Sequence, residues 1–134
     1  KKAYKTPLLI SKALDDYKFR QAINLLIDLS RLGNKYLAEE EPWKLYKLGH
    51  TERVKKIMYV SLQLCGLLSL LSEPFLPNAS KKIRQILSIR KTKWTELTIS
   101  NPILKEKNQI NKSSLIFRKI EDEEIKNQIN KLNG

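Results

Sequence analysis

The sequence has little of what small enzymes and secreted domains use for their chemistry. It contains one cysteine, Cys65, one histidine and four glycines. A single cysteine excludes a disulfide framework, and one cysteine with one histidine cannot provide the ligands of a zinc site. Four glycines also exclude a conventional Gly-rich phosphate loop. We therefore predict no catalytic residues and no metal site, and expect Cys65 to be a small buried hydrophobe in a reducing, cytoplasmic compartment.

Long hydrophobic runs are also missing. The longest run, around Leu62–Leu71, is interrupted by Gln63 and Ser69 and is shorter than the roughly 18 residues that a membrane span needs. The apolar stretch after the basic amino end, Lys1–Thr6, is too short for a signal peptide. We expect no membrane partner.

Positive charge and helix-forming apolar residues are what the sequence has. Its 134 residues contain 26 Lys and Arg against 14 Asp and Glu, a formal net charge of +12, and 41% are hydrophobic. That length predicts a single domain, residues 1–134, with a genuine core. The apolar content excludes a disordered basic tail, and the charge indicates a polyanionic partner.

Helical spacing of apolar residues dominates the first two thirds. The pattern predicts a first helix over Pro7–Leu14 with Thr6 as its cap. In the second helix, apolar residues recur from Phe19 to Leu37, and Gly33 within the stripe would let a neighbouring helix approach closely. Pro42 ends this helix because the residue before a proline disfavours helical geometry.

A third helix is predicted to begin at Thr51, as its cap, and to stop before Pro74. Since it is apolar on nearly all sides, we expect it to be the central and most buried helix. A fourth helix begins at Asn78 or Ser80 and continues through Leu87.

The last third is less regular. Arg90–Lys112 is read as irregular and basic, and Leu115–Ile120 as a short extended segment. Glu121–Leu132 is predicted to be a helix whose acidic first turn complements the helix dipole. The predicted fold class is therefore all-α: an antiparallel helix bundle with an irregular basic segment and a C-terminal helix.

Trp43 is the most informative aromatic residue. It follows Pro42, which fixes the local geometry, and is followed by Lys44 and Lys47. An indole presented in this way can stack on an unpaired base while a lysine contacts phosphate. It can equally plug the end of the bundle, and Trp94 is read as such a core plug or loop anchor.

A basic cluster lies between residues 81 and 93, with no acidic residue inside it. Its members include Lys81, Lys82 and Arg84. Against phosphates such a cluster would give an affinity that falls steeply with salt. The alternative is a solvated helix face with no ligand.

Several segments together form a recognisable pattern, and its most specific part is Asn34-Lys35-Tyr36 followed by Glu41-Pro42-Trp43-Lys44. The segments are Asp16–Ala22, Leu29–Leu37, Glu41–Leu45, Glu52–Val54, Leu62–Leu64, Glu73–Pro77 and Leu115–Asp122. They resemble the anticodon-binding helical domain of the methionyl-tRNA synthetases, which are class I aminoacyl-tRNA synthetases. The resemblance covers about Ala13–Asn133 and is weakest over Arg90–Gln109.

The resemblance implies roles for individual residues. Trp43 would stack on the first anticodon base, a cytosine, while Pro42 fixes its approach and Asn34 supports it. The partner would be the CAU anticodon arm of methionine tRNA. The basic residues expected to contact tRNA phosphates are Lys44, Lys47, Lys81, Lys82 and Arg84.

The resemblance also implies a parent enzyme, a methionine–tRNA ligase that charges tRNA with methionine using ATP and Mg. The His-x-Gly-His signature and the Lys-Met-Ser-Lys-Ser loop of that family's catalytic domain are absent from this sequence. The family also uses an Asn and an Arg on a helix that precedes the segments matched here, and that helix is not part of this sequence. We therefore expect a fragment that binds no cofactor itself and has the catalytic domain of the same enzyme as a partner. The alternatives are the anticodon domain of another class I synthetase and a non-catalytic helical protein-interaction module.

Overall fold

The computed structural model describes residues 3–133, which are mostly helical and contain no β-strand. The predicted all-α class is confirmed. Short 3₁₀ turns occupy Ala3–Lys5 and Trp94–Glu96. The helices are α1 (Thr6–Asp15), α2 (Phe19–Glu40), α3 (Pro42–Lys47), α4 (Thr51–Leu71), α5 (Pro77–Ile86) and α6 (Asp122–Asn133).

The longest helices, α2 and α4, run antiparallel. Glu40 at the end of α2 pairs with Arg53 in the first turn of α4, while Gly33, earlier in α2, lies beside Leu64, later in α4. Helix α1 packs on α2, and both α3 and α5 pack on α4. The result is a bundle with α2 and α4 at its centre.

The core consists of apolar side chains that recur at helical spacing on three helices, joined by one residue from the irregular segment. Each large side chain removed from water in this way contributes about 1.5–3 kcal/mol. The most buried members are Ile10 and Ala13 of α1, Ala22, Leu26 and Leu29 of α2, Leu67, Leu70 and Leu71 of α4, and Leu97.

Helix α4 corrects two expectations. By length and composition alone it could cross a membrane, so the sequence does contain one stretch long enough for a span. A helix at the centre of a bundle passes the same test, and α4 packs against α2, α3 and α5. It is the most buried helix, as predicted, with eight buried residues against three in α2. Cys65, however, is exposed rather than buried, and Met58, Tyr59 and Val60 are each more than 40% exposed. The neighbouring helices cover only part of its circumference.

The starts of three helices differ from the prediction. Helix α1 includes Thr6, helix α4 includes Thr51, and neither side chain makes a capping hydrogen bond. Helix α5 begins at Pro77 rather than at Asn78 or Ser80. A proline in the first turn has no N–H to satisfy, which lessens the need for a side-chain cap in α1 and α5.

The close approach expected at Gly33 occurs instead at Gly66. A Cβ atom built at Gly33 would lie 3.8 Å from Leu64 Cδ1, an ordinary contact distance. At Gly66 it would lie 2.9 Å from Ile103 Cγ2 and 3.0 Å from Leu104 Cδ1. The missing side chain therefore admits the irregular segment against α4, not one helix against another.

The irregular segment is anchored to α4 by side-chain hydrogen bonds. The buried Gln63 donates through Nε2 to Leu104 O at 2.7 Å and accepts at Oε1 from Ile103 N at 2.9 Å. Trp94 donates from Nε1 to Leu70 O at 3.2 Å, so it acts as the predicted loop anchor. These bonds give residues 90–112 a defined path without secondary structure.

The C-terminal region agrees with the prediction for α6. Residues 115–120 form no strand, and Leu115 and Phe117 are exposed. Helix α6 begins one residue later than predicted, and Glu124 accepts a hydrogen bond from the Glu121 backbone N–H at 3.2 Å. The Arg118 guanidinium and this N–H lower the pKa of Glu124 to about 2. The acidic run therefore stabilises the start of the helix, as predicted.

Candidate nucleic-acid interface

The chain turns sharply between α2 and α3. Glu41 adopts a left-handed conformation with φ 42° and ψ 56°, and its N–H still donates to Leu37 O at 3.1 Å. Pro42 follows as the buried first residue of α3. The proline fixes its own φ and disfavours the right-handed helix for Glu41, so these two residues set the direction in which α3 leaves α2.

Trp43 follows the buried Pro42 and is 53% exposed. The arrangement in which Trp43 plugs the end of the bundle is therefore not found, since Pro42 occupies the inner position. Burial of one part of the indole with exposure of the rest is typical of an aromatic side chain that presents a surface to a partner.

Two ion pairs hold the corner. Arg53 Nη2 lies 2.9 Å from Glu40 Oε2 and connects the start of α4 to the end of α2. Lys44 Nζ lies 2.7 Å from Glu41 Oε1, within the corner itself. The charge of Lys44, predicted to contact phosphate, is thus shared with a carboxylate.

Asn34 is exposed on α2, so its side chain does not pack inward. It precedes Glu40 by roughly 9 Å along the helix axis, at about 1.5 Å per residue.

Three of the predicted phosphate contacts are exposed lysines: Lys47 on α3, and Lys81 and Lys82 on α5. Among the ion pairs of residues 3–133, no acidic side chain lies within 4.0 Å of any of the three. Their charges are available to a polyanion.

Arg84 lies in a different environment. Its side chain is 14% exposed, and its guanidinium lies 3.6 Å from Glu73 Oε1 and donates to Ser80 Oγ at 2.9 Å. Glu73 also pairs with Lys91 at 3.0 Å. The basic cluster has no acidic residue in its own sequence, but the fold brings Glu73 against it from the end of α4.

Tyr46 is a surface residue for which the sequence pattern predicted no role. It is 69% exposed, one helical turn after Trp43 on α3. Its spacing of three residues from Trp43 could have identified it once α3 was known to be helical. The sequence pattern did not predict α3 as a helix, because six residues between a proline and a glycine show too little periodicity.

Within residues 3–133, no group of three or more His, Cys, Asp or Glu side chains could hold a metal ion. The α2–α3 corner itself offers aromatic stacking by the half-exposed Trp43 and electrostatic attraction by the exposed lysines of α3, while the exposed Asn34 of α2 offers hydrogen bonding.

Comparison with known proteins gives a consistent result. Residues 7–134 match a family model described as the anticodon binding domain of methionyl tRNA ligase. A methionine–tRNA ligase of Flavobacterium psychrophilum is 44% identical over 132 residues, which is 98% of this chain and 19% of the relative. The enzyme of the same name from Christiangramia forsetii is 45% identical over 137 residues, with the same coverage. That of Bacteroides fragilis is 46% identical over 123 residues, or 92% of this chain and 18% of the relative. The chain thus spans about a fifth of the length of these relatives.

Proposed function

We propose that this chain, which belongs to the family of methionyl tRNA ligase anticodon-binding domains, selects methionine tRNA for a methionine–tRNA ligase by binding the anticodon. The observation that carries the proposal is the half-exposed Trp43, held directly after a buried proline. The two alternatives from the sequence, another class I synthetase and a protein-interaction module, are not favoured, because the relatives are named methionine–tRNA ligases.

In this proposal Trp43 stacks on the first anticodon base, a cytosine, in the CAU anticodon. Stacking of a base on an aromatic side chain contributes about 1–3 kcal/mol. Pro42 restricts the backbone at the start of α3 and so fixes where the helix presents the indole, which lowers the entropy lost on binding. Asn34, exposed on α2, supplies a supporting hydrogen bond.

Phosphate contacts would come from basic residues on two helices. The exposed Lys47, Lys81 and Lys82 contribute most, because none of them pairs with an acidic side chain among residues 3–133. Lys44 and Arg84 already contact carboxylates, so they contribute less. Each phosphate neutralised releases counterions, which makes the affinity depend on salt.

The parent enzyme would join methionine to its tRNA with ATP and Mg, in the cytoplasm, through a catalytic domain outside the matched fifth of the relatives. The residues of this chain would bind and orient the anticodon arm. Chemistry on methionine and ATP would take place in the catalytic domain.

The test is titration of the full-length protein with two anticodon stem-loops, one bearing CAU and one bearing GAU. We expect the wild-type protein to prefer CAU, and Trp43→Ala to weaken CAU binding by about five-fold or more, the lower limit of a base stack. Trp43→Phe, which keeps an aromatic ring, should retain most of the affinity. Tyr17→Ala removes an aromatic residue that is 80% exposed in the turn between α1 and α2, at the far end of α2 from Trp43, and should leave CAU affinity unchanged. An unaltered CAU affinity for Trp43→Ala would contradict the proposal.

A further inference from the structure

Helix α3 and the turn after it concentrate exposed apolar groups in a short stretch. Trp43, Tyr46 and Leu48 are 53%, 69% and 71% exposed. The inner side of the helix is occupied by the buried Pro42 and the partly buried Leu45. Large apolar groups clustered on one surface indicate an interaction site rather than chance exposure.

Trp43, Tyr46 and Lys47 share one flank of α3, because residues three and four apart on a helix are neighbours, about 5–6 Å between Cβ atoms. The two rings do not stack on each other: the aromatic pair found in residues 3–133 is that of Tyr17 with Phe19. Neither ring of α3 therefore covers the other, and at least half of each residue is exposed to solvent.

The chemistry of this flank fits single-stranded RNA better than a protein surface. Stacking platforms beside a cation are the recurring arrangement for unpaired bases, since every base has a π-face and every nucleotide a phosphate. Lys47 supplies an exposed cation one residue after Tyr46, without an acidic partner among the ion pairs of the described chain. An apolar protein partner would not require that charge.

We propose that Tyr46 is a second stacking platform, which binds the unpaired base next to the one bound by Trp43, with Lys47 on the intervening phosphate. This inference rests on the proposed function and extends it from one base to two. Helix α3 would then bind two adjacent unpaired bases of the anticodon loop, one on Trp43 and one on Tyr46. Asn34 lies outside this pair, on α2.

The test is a double-mutant cycle in the full-length protein. CAU stem-loops carrying an abasic site at each loop position in turn are titrated against the wild type, Tyr46→Ala, Tyr46→Phe and Trp43→Ala, with Tyr17→Ala as the matched exposed-tyrosine control. Tyr46→Ala should weaken binding of the intact stem-loop about five-fold or more. Tyr46→Phe should stay within about two-fold of the wild type, because the ring remains.

The position of the abasic site decides the outcome. One abasic position, adjacent to the position that couples to Trp43, should make Tyr46→Ala silent, because the base that stacks on Tyr46 is already missing. An equal loss on every stem-loop, or no loss at all, overturns the inference. So does a loss of methionine activation measured without tRNA, which would mean that Tyr46 docks on the rest of the protein. If Trp43→Ala keeps its effect while Tyr46→Ala has none, only this inference fails; if neither has an effect, the proposed function fails as well.

Discussion

Arg53 and Glu40 form an ion pair of 2.9 Å between the first turn of α4 and the last residue of α2. The pair lies immediately before the corner that carries Trp43. Breaking it should therefore loosen the corner more than it unfolds the domain, because partly exposed ion pairs contribute only about 0.2–1 kcal/mol.

For Arg53→Ala we expect the free energy of unfolding to fall by about 1 kcal/mol at most, measured by urea denaturation. CAU affinity should fall with it. Exchanging the two charges, Glu40→Arg with Arg53→Glu, should restore both. The control is Arg31→Ala, which removes an exposed pair with Asp28 within α2 and should leave RNA binding unchanged. Failure of the exchange to restore affinity would mean that the pair does not position Trp43.

Alanine substitutions at the two helical glycines, Gly33 and Gly66, should have clearly different effects on the free energy of unfolding. Gly33→Ala places a methyl group in ordinary contact with Leu64 and should be neutral or stabilising by up to about 1 kcal/mol, because alanine favours helix. Gly66→Ala forces Ile103 and Leu104 to move, and overpacking of this kind costs about 1–3 kcal/mol. Thermal or chemical denaturation of both variants measures the difference. Equal stabilities of the two variants would show that Ile103 and Leu104 move away from residue 66 without a cost in free energy.

Gln63 should be essential for the path of the irregular segment. Gln63→Leu leaves the Ile103 and Leu104 backbone groups without their partner, at a cost of about 1–3 kcal/mol for each buried group left unpaired. Limited proteolysis should then cleave within residues 90–112. Gln63→Glu should also destabilise, because a carboxylate cannot donate to Leu104 O. Wild-type resistance to protease in Gln63→Leu would contradict the anchoring role.

The start of α6 should respond to acid. The pKa of Glu124 is lowered from 4.5 to about 2 by the Arg118 guanidinium and the Glu121 N–H. Its stabilising contribution is therefore fully present above pH 4.5 and is lost as the pH falls through about 2. Titration of the side-chain carboxyl by NMR should show this low pKa, together with fraying of α6 over the same range. Glu124→Gln should remove the transition, whereas Glu123→Gln should leave it in place.

Lysines and arginine of the basic cluster should behave differently. Lys81→Ala and Lys82→Ala should each lower the magnitude of the log–log salt slope of RNA binding by roughly 1, with little effect on stability. Arg84→Ala should mainly destabilise the protein, since Arg84 contacts Ser80 and Glu73. Titrations at several salt concentrations, paired with denaturation curves, distinguish the two effects. A stable Arg84→Ala protein with a reduced slope would place Arg84 at the phosphates instead.

The sequence predicted the long helices well, because α2 and α4 are long enough for the apolar period to be unmistakable. It did not predict α3, whose six residues are too few. It also placed caps at Thr6 and Thr51 that make no capping bonds. Propensity for a cap describes a preference, and prolines or alternative partners can satisfy or remove the same backbone groups.

At the site, the order of Pro42 and Trp43 along the chain was enough to single out the indole and the fixed geometry before it. The exposure of Trp43 could not be predicted from the sequence, because the left-handed turn at Glu41 decides whether the proline or the tryptophan faces inward. The ion pair between Arg84 and Glu73 could not be predicted from the sequence either, because it too depends on the path of the chain. Glu73 lies outside the basic cluster in sequence and reaches it only through the fold.

The left-handed turn at Glu41 places the domain in a trade-off between robustness and recognition. A residue other than glycine in this conformation costs roughly 1–2 kcal/mol. Glycine and asparagine tolerate positive φ, so either substitution at Glu41 is expected to raise the free energy of unfolding. Glycine at this position would also let α3 adopt a wider range of orientations relative to α2. We therefore expect a variant that is more stable to heat to distinguish less well between anticodons.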